Sequence, residues 1–300
     1  MRVPDEVRQC VVFIGLPINP PDGGQALAFH GTAFFVSVPS ESVEGWQYVY
    51  LVTAKHVAVK LEGKPLLVRV NTKGGGSASF SGQGARWWYH PTDLSIDVAV
   101  IPWAPPEQVD YRHIPAQMFL TDEISRSKSI GTGDEVFITG LFAHLTGRQR
   151  NLPIVRMGSI AMMPGEPVPT REFGDMDAYL IEARSIGGLS GSPAFVRETI
   201  PLGIGAFYLL GLMHGHWDIP PSAKNDAVTP DDDGSGAVNM GIAIVIPAKK
   251  VMEVIQQPGL VEMRQKADGE RRRQIMPTLD EGKQKAADQS KPKEDGTASI

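Results

Sequence analysis

Three short motifs contain residue types that together could carry out nucleophilic catalysis. YVYLVTAKHV reads as a strand that runs into His56, LSIDVAVIP places Asp97 directly before an apolar strand, and GGLSGSPAF places Ser190 among glycines. A serine hydroxyl is a weak nucleophile at neutral pH, so it needs a base such as histidine and a carboxylate that orients the base. Each motif alone is a weak signal, because Gly-Ser-rich segments and aspartates at strand starts are usually turns. Their joint occurrence predicts acyl transfer through a serine nucleophile.

The chain order His, Asp, Ser is that of chymotrypsin and differs from the orders in subtilisin and the α/β hydrolases. On these motifs the sequence resembles the trypsin-like serine peptidases, especially the bacterial, disulfide-free branch that includes glutamyl endopeptidases and Deg-type proteases. The resemblance covers about residues 8 to 257. It is carried by TAKH, DVAV and GGLSGSP at residues 53–56, 97–100 and 187–193, with supporting matches in GTAFFV at 31–36, GDEVFITG at 133–140, GLM at 211–213 and MGIAIVIP at 240–247.

The resemblance implies a role for each residue of the catalytic motifs. Ser190 would attack a peptide carbonyl, His56 would accept the serine proton and return it to the leaving amine, and Asp97 would hold the imidazole in the right tautomer. The backbone N–H groups of Gly188 and Ser190 would form the oxyanion hole. Asp93 is the alternative to Asp97, which we favour because it directly precedes the apolar VAV run.

Substrate specificity in this family depends on the residues before the nucleophile and on the strand after it. Counting back from Ser190 without gaps places Arg184 at the bottom of the pocket, and the later segment GLMHGHW places His214 on the wall strand. Such a pocket would suit an acidic or amide side chain. A shift of one residue would turn Arg184 to the surface and put Met213 in the pocket, which would then be apolar. His214 and His216 share a strand face, but two histidines without a third ligand do not make a zinc site. We therefore predict no metal and no cofactor.

The wider pattern predicts an all-β fold of two six-stranded antiparallel β-barrels with a short C-terminal helix and a disordered tail. About a dozen short β-branched and aromatic runs alternate with Gly- and Pro-rich turns, and no series of amphipathic helices separates them. We expect the first barrel at residues 8–103, a Pro-rich linker at 104–116, the second barrel with its terminal helix at 117–257, and an unfolded tail at 264–300, where large apolar residues are few.

Composition excludes several classes of protein. The 300 residues carry 29 basic and 34 acidic side chains, a formal net charge of -5, which gives no basic field for nucleic acid or anionic membrane. The longest apolar stretch has about twelve residues, too few to span a bilayer. One cysteine, Cys10, and an N-terminus without a basic-then-apolar leader predict a cytoplasmic protein. The expected partner is a polypeptide substrate, and no motif sets an oligomeric state.

Two other functions fit the same motifs. The first is a catalytically inactive binding protein on a trypsin-like scaffold, because a fold does not guarantee its usual activity. The second is a small-ester hydrolase, which uses the same chemistry on a different substrate. The complete set of His56, Asp97 and Ser190 favours a serine endopeptidase over the binding protein.

Overall fold

The computed structural model of the chain describes residues 3–18, 26–170, 173–183, 188–200, 205–219 and 238–289. Its described residues fall into two compact units. The first unit takes in Met1–Pro39 and Gln47–Gln257, and the second takes in Ser40–Trp46 and Pro258–Ile300. None of the described helices is both long and apolar enough to cross a bilayer.

The N-terminal half of the first unit is one eight-stranded sheet. Its strands pair in the order β5-β4-β1-β2-β3-β7-β6, and β8 pairs with β2. The buried faces carry aliphatic and aromatic side chains, among them Phe13, Phe34 and Leu51. The strands are β1 (Val11–Ile18), β2 (Ala26–Pro39), β3 (Gln47–Thr53), β4 (Leu67–Asn71), β5 (Ser77–Ser81), β6 (Trp88–Tyr89), β7 (Ala99–Pro102) and β8 (Ile114–Pro115), with helices α1 (Glu6–Gln9) and α2 (Lys55–Leu61).

The C-terminal half of the first unit is a closed six-stranded barrel in the order β10-β13-β16-β15-β14-β9. Its interior is filled by aliphatic side chains such as Val136, Ile181 and Val245. The strands are β9 (Glu135–Gly140), β10 (Ile154–Met162), β13 (Tyr179–Glu182), β14 (Pro193–Arg197), β15 (Phe207–Ile219) and β16 (Val238–Pro247), and β11 (Val168–Thr170) pairs with β12 (Gly174–Met176) as a separate hairpin. A 3₁₀ turn (Ala116–Met118) and helices α3 (Asp122–Ser127) and α4 (Ala248–Ile255) complete this half.

One of the two predicted six-stranded barrels is thus confirmed, in the C-terminal half, and the described residues of the N-terminal half form an eight-stranded sheet for which closure is not shown. Among the described residues, strands β5 and β6 end the N-terminal sheet without pairing to each other. Strand β6 has only two residues, and the segment before it, GQGAR, favours turns over extended pairing. Because both halves belong to one compact unit, the linker at residues 104–116 stays a prediction.

The tail beyond residue 264 was predicted to be unfolded, and the structure corrects this. Helix α5 runs over Pro258–Gln289. Helix α4 ends at Ile255, and Pro258 begins the next helix, because proline fits the first helical position, where no N–H partner is needed. Residues 290–300 of the predicted tail lie outside the described part of the chain.

Helix α5 is held to the segment Ser40–Trp46 within the second unit. Asp268, which is 5% exposed, accepts hydrogen bonds from Ser40 Oγ at 2.7 Å and from Ser42 Oγ at 3.1 Å. The guanidinium of Arg271 lies over the Trp46 ring, 3.2 Å from its centroid. A helix with few apolar residues therefore gains its contacts from a buried carboxylate and a cation–π pair, which composition alone does not reveal.

The single cysteine lies in the interior. Cys10 is 1% exposed, its Sγ donates to the Val7 carbonyl at 3.2 Å, and burial raises the pKa of the thiol to about 12. At pH 8 the native thiolate fraction is therefore far below that of an unfolded chain. We expect a disulfide reagent such as DTNB to label the native protein at least about 100-fold more slowly than the protein unfolded in guanidinium. Equal rates in the two states would contradict the burial of this thiol.

Candidate active site

His56 is positioned by the junction of a buried strand and a short helix. Strand β3 ends at Thr53, Ala54 is extended, and His56 is the second residue of α2. The first N–H groups of a helix have no partner within the helix, and Ala54 provides no side-chain cap. The His56 N–H instead donates to Asp97 Oδ1 at 2.8 Å. The carboxylate that faces the imidazole therefore also caps the helix that carries it.

Asp97 lies just before β7, which pairs with β3 in the register Thr53↔Ala99, and its side chain is fully buried. Its Oδ2 lies 2.7 Å from His56 Nδ1 and 2.5 Å from His214 Nδ1. Burial by itself raises the pKa of this carboxyl, but the hydrogen bonds from His214 and His56, with their charge, outweigh burial and hold the pKa below its ordinary value. Asp97 is thus a carboxylate with three donors.

The hydrogen bonds to Asp97 fix which imidazole nitrogens carry protons. An ionised carboxylate only accepts hydrogen bonds, so Nδ1 of both His56 and His214 is the protonated nitrogen. In the neutral ring, His56 Nε2 then has a free lone pair and can act as a base. The other candidate carboxylate, Asp93, is exposed and accepts from Ser95 Oγ at 2.6 Å and from Ser95 N at 2.9 Å. The structure therefore brings Asp97, and not Asp93, to His56.

Ser190 lies in a turn before β14 and belongs to the same cluster through His214. Its Oγ donates to the His214 carbonyl at 3.1 Å, and within the described residues no hydrogen bond joins it to the His56 ring. The turn is anchored by the Gly191 N–H, which donates to the Met213 carbonyl at 2.8 Å. The structure thus joins His56 to Asp97 directly, whereas the hydroxyl is bound to a neighbouring carbonyl.

The glycines around Ser190 adopt backbone angles that other residues rarely adopt. Gly188 has φ +98° and Gly191 has φ +83°. Within the part of the chain that the structure describes, the N–H groups of Gly188 and Ser190 make no hydrogen bond. Both donors are therefore free to receive an oxygen that gains negative charge.

Thr32, on β2, holds the Ser190 turn and was not singled out by the sequence analysis. This fully buried residue donates from Oγ1 to the Gly188 carbonyl at 2.8 Å and accepts from the Leu141 N–H at 2.9 Å. Its own N–H donates to the Ser190 carbonyl at 3.0 Å. The only sequence signal was its place in GTAFFV, which matches the family as a block and does not distinguish a structural threonine from any other strand residue.

We expect Thr32→Val to lower the free energy of unfolding by about 2 to 4 kcal/mol. Valine matches the shape of threonine but leaves the Gly188 carbonyl and the Leu141 N–H buried without their partner, at about 1 to 3 kcal/mol each. Thr139→Val is the matched control, because Thr139 is also fully buried and its Oγ1 makes no hydrogen bond in the described structure. Urea denaturation should show that the free energy of unfolding of the control differs from that of the parent by less than about 1 kcal/mol. An equal loss of unfolding free energy in both variants would argue against the role given to Thr32.

Two of the three predicted pocket residues, His214 and Met213, lie differently from the sequence-based expectation. His214 turns its ring toward Asp97, and Met213 is fully buried in the hydrophobic core of the barrel. The register of β15 shifts between Met213 and Gly215, so the alternation of faces on which the pocket prediction relied is interrupted there. Arg184, the residue predicted at the bottom of the pocket, lies outside the described residues.

Phe173, next to β12, is a second residue that the sequence analysis missed. Its ring centroid lies 5.5 Å from that of His214 and 6.4 Å from that of His56, both edge to face. The Lys55 Nζ lies 5.7 Å from the Phe173 centroid and donates to the Leu94 carbonyl at 3.2 Å. An apolar ring thus borders both imidazoles, and the neighbouring lysine is held by a carbonyl oxygen.

Two solved structures resemble this chain over most of its length. The HtrA-type protease AlgW, solved with a decapeptide, is 18% identical, with a TM-score of 0.50, and the match covers 86% of this chain and 66% of AlgW. The apo protease domain of MamO from Magnetospirillum magneticum is 17% identical, with a TM-score of 0.51, over 84% of this chain and 98% of that domain. The chain therefore spans slightly less than two thirds of the AlgW chain. Searches against protein-family models and against curated proteins found no match.

At identities below 20%, these matches show a shared fold and nothing about the reaction. The chemistry must therefore be argued from the site residues themselves. The two neighbours are an HtrA-type protease and a protease domain. The predicted resemblance to the trypsin-like peptidases and their Deg-type branch is confirmed for the fold.

Proposed function

We propose that the chain is a serine endopeptidase in which His56, Asp97 and Ser190 form a catalytic triad. The observation that supports this most directly is the double attachment of His56 to Asp97, through the backbone N–H at 2.8 Å and through Nδ1 at 2.7 Å. This attachment fixes both the orientation and the tautomer of the base, as general-base catalysis requires. The fold shared with HtrA-type proteases supports the same reaction class.

The reaction would begin with a rotation of the Ser190 side chain from the His214 carbonyl to His56 Nε2. The hydroxyl oxygen then attacks the carbonyl carbon of the substrate while His56 takes the proton, and Asp97 stabilises the resulting imidazolium. The Gly188 and Ser190 N–H groups would bind the negative oxygen of the tetrahedral intermediate. His56 gives its proton to the leaving amine, and a water molecule repeats the sequence to release the acyl group from Ser190.

A polypeptide substrate is the part of the proposal that the comparison supports, because AlgW was solved with a decapeptide. A reducing compartment such as the cytoplasm fits the one free, buried cysteine, Cys10. The preference for an acidic or amide side chain, which depends on Arg184, is retained as part of the proposal.

Labelling by a fluorophosphonate probe tests the proposed activity. We expect the native chain to be labelled on Ser190 and to degrade casein, and we expect Ser190→Ala to do neither. A chain that is labelled and hydrolyses p-nitrophenyl esters, but cleaves neither casein nor a peptide library, would be a small-ester hydrolase.

A non-catalytic binding protein is the second candidate, and one observation favours it. The Ser190 hydroxyl is bonded to the His214 carbonyl and not to the base. Absence of labelling in a folded native chain, together with binding of peptides of about ten residues, would establish this alternative and reject the triad.

A further inference from the structure

Two imidazoles converge on one buried carboxylate oxygen. His56 comes from the N-terminal sheet and His214 from the barrel, and both Nδ1 atoms lie within 2.7 Å of Asp97 Oδ2. The three side chains each offer a ligand atom, and these atoms lie within 4.8 Å of one another. A trypsin-like mechanism needs only one imidazole on this carboxylate, so the ring of His214 has no role in the proposed chemistry.

We infer that His56, Asp97 and His214 form a reversible binding site for a divalent transition metal of the zinc type. Two imidazole nitrogens and one carboxylate oxygen are a common ligand set for Zn²⁺, with the fourth position left to water. The pair His214 and His216 alone does not predict a metal site, because the sequence offers no third ligand near it. The fold brings the missing ligands from the other half of the chain, and the group does not include His216.

The geometry requires a small opening of the cluster. Tetrahedral zinc with bonds of about 2.0 to 2.1 Å holds its ligand atoms about 3.3 Å apart, so the two N···O distances, 2.7 and 2.5 Å, would each lengthen by roughly 0.6 to 0.8 Å. The side chains of His56 and His214 are 15% and 13% exposed, whereas Asp97 is fully buried. The two rings can therefore swing outward on their side-chain torsions while the carboxylate stays fixed.

The protons balance without a further reactant. In each neutral ring the proton moves from Nδ1 to Nε2, which leaves the Nδ1 lone pair for the ion. Asp97 is already ionised and supplies one negative charge toward the two positive charges of the metal. The interaction exchanges two N–H donors for one cation and breaks no covalent bond other than N–H.

Metal binding would also change what His56 can do. With the ion on Nδ1, Nε2 carries the proton and becomes a donor, so it no longer accepts the Ser190 proton. This regulatory consequence rests on the proposed peptidase function, whereas the binding itself does not. The site would then alternate between a base, when it is free of metal, and a metal centre.

Calorimetric titration of the full-length Ser190→Ala chain with Zn²⁺ tests the binding without any need for activity. We expect one ion per chain and, with Co²⁺, the visible absorption of a tetrahedral site. His214→Asn keeps an N–H donor toward Asp97 but provides a poor zinc ligand, so we expect at least about 100-fold weaker binding. His216→Ala, on the same strand, is the matched control and should bind like the parent.

Three results would overturn the site: no binding to the folded parent, unchanged binding in His214→Asn, or loss of binding in His216→Ala. Circular dichroism melting checks that each variant is folded, and His56→Ala gives an independent loss of one ligand if His214→Asn does not fold. In the native chain, Zn²⁺ should block fluorophosphonate labelling and a chelator should restore it. Failure of labelling at all metal concentrations would reject the peptidase, while the calorimetric result would still decide on the metal site.

Discussion

Asp97→Asn is expected to slow fluorophosphonate labelling of Ser190 about 10⁴-fold, the loss typical of this substitution in a serine triad. Three donors now converge on the carboxylate: the His56 N–H, His56 Nδ1 and His214 Nδ1. An asparagine has one acceptor oxygen and an NH₂ group, so at least one of these donors would face another donor. His56 would then prefer the tautomer with the proton on Nε2, which cannot take the serine proton.

The second-order rate constant of labelling measures this effect, and Asp93→Asn is the matched control. Asp93 lies four residues away, is exposed, and bonds to Ser95 and not to His56. We expect its substitution to change the rate by less than about twofold, because an exposed carboxylate outside the site contributes little. Similar slowing in both variants, or an unchanged rate in Asp97→Asn with a folded chain, would argue against Asp97 as the orienting acid.

Gly191→Ala is expected to lower the free energy of unfolding by at least about 4 kcal/mol, a loss that few single substitutions cause. A Cβ on Gly191 would lie 2.2 Å from the Thr32 carbonyl oxygen and 2.3 Å from Thr53 Oγ1. Both neighbours are held in place, since Thr53 Oγ1 donates to that same carbonyl at 2.7 Å. The clash therefore falls on backbone and buried strands that cannot give way.

Gly84→Ala separates this clash from the cost of the backbone conformation. Gly84 has φ +79°, close to the +83° of Gly191, but a Cβ there would meet nothing within 4 Å. An alanine with positive φ costs about 1 to 2 kcal/mol, partly offset by the lower entropy of the unfolded chain. The midpoint of urea denaturation should therefore be far lower for Gly191→Ala than for Gly84→Ala. Equal midpoints for the two variants would argue against the close packing described around the Ser190 turn.

The sequence predicted the parts of the site that depend on motif order and strand pattern. His56 and Asp97 each adjoin an apolar run that becomes a central strand, and the pairing of β3 with β7 brings them together. The direction of the His214 ring could not be predicted, because the register shift in β15 leaves no mark on the alternation of residue types. The role of Thr32 was hidden for a related reason, since its partners are backbone groups, which have no sequence signature.

The fold was predicted in outline, and the errors have physical causes. Alternating apolar residues predicted β-strands, but the closure of a sheet depends on the pairing of its last strands, and β6 has too few residues for a pattern to be recognised. Helix α5 was missed because its polar composition resembles that of an unfolded chain. Its contacts to Ser40 and Trp46 involve single polar and aromatic side chains that are more than two hundred residues distant in sequence.

The hydrogen bonds between Thr32 and the Ser190 turn of the C-terminal half have an evolutionary consequence. One residue of β2 contacts the Ser190 carbonyl, the Gly188 carbonyl and the Leu141 N–H, all of which belong to the C-terminal half. In a chimaera that joined this N-terminal half to a foreign barrel, the turn equivalent to that of Ser190 would lack this support unless the new barrel matched the same three atoms. Recombination at the junction should therefore be tolerated far less readily than exchange of surface loops, and the two halves must diverge together.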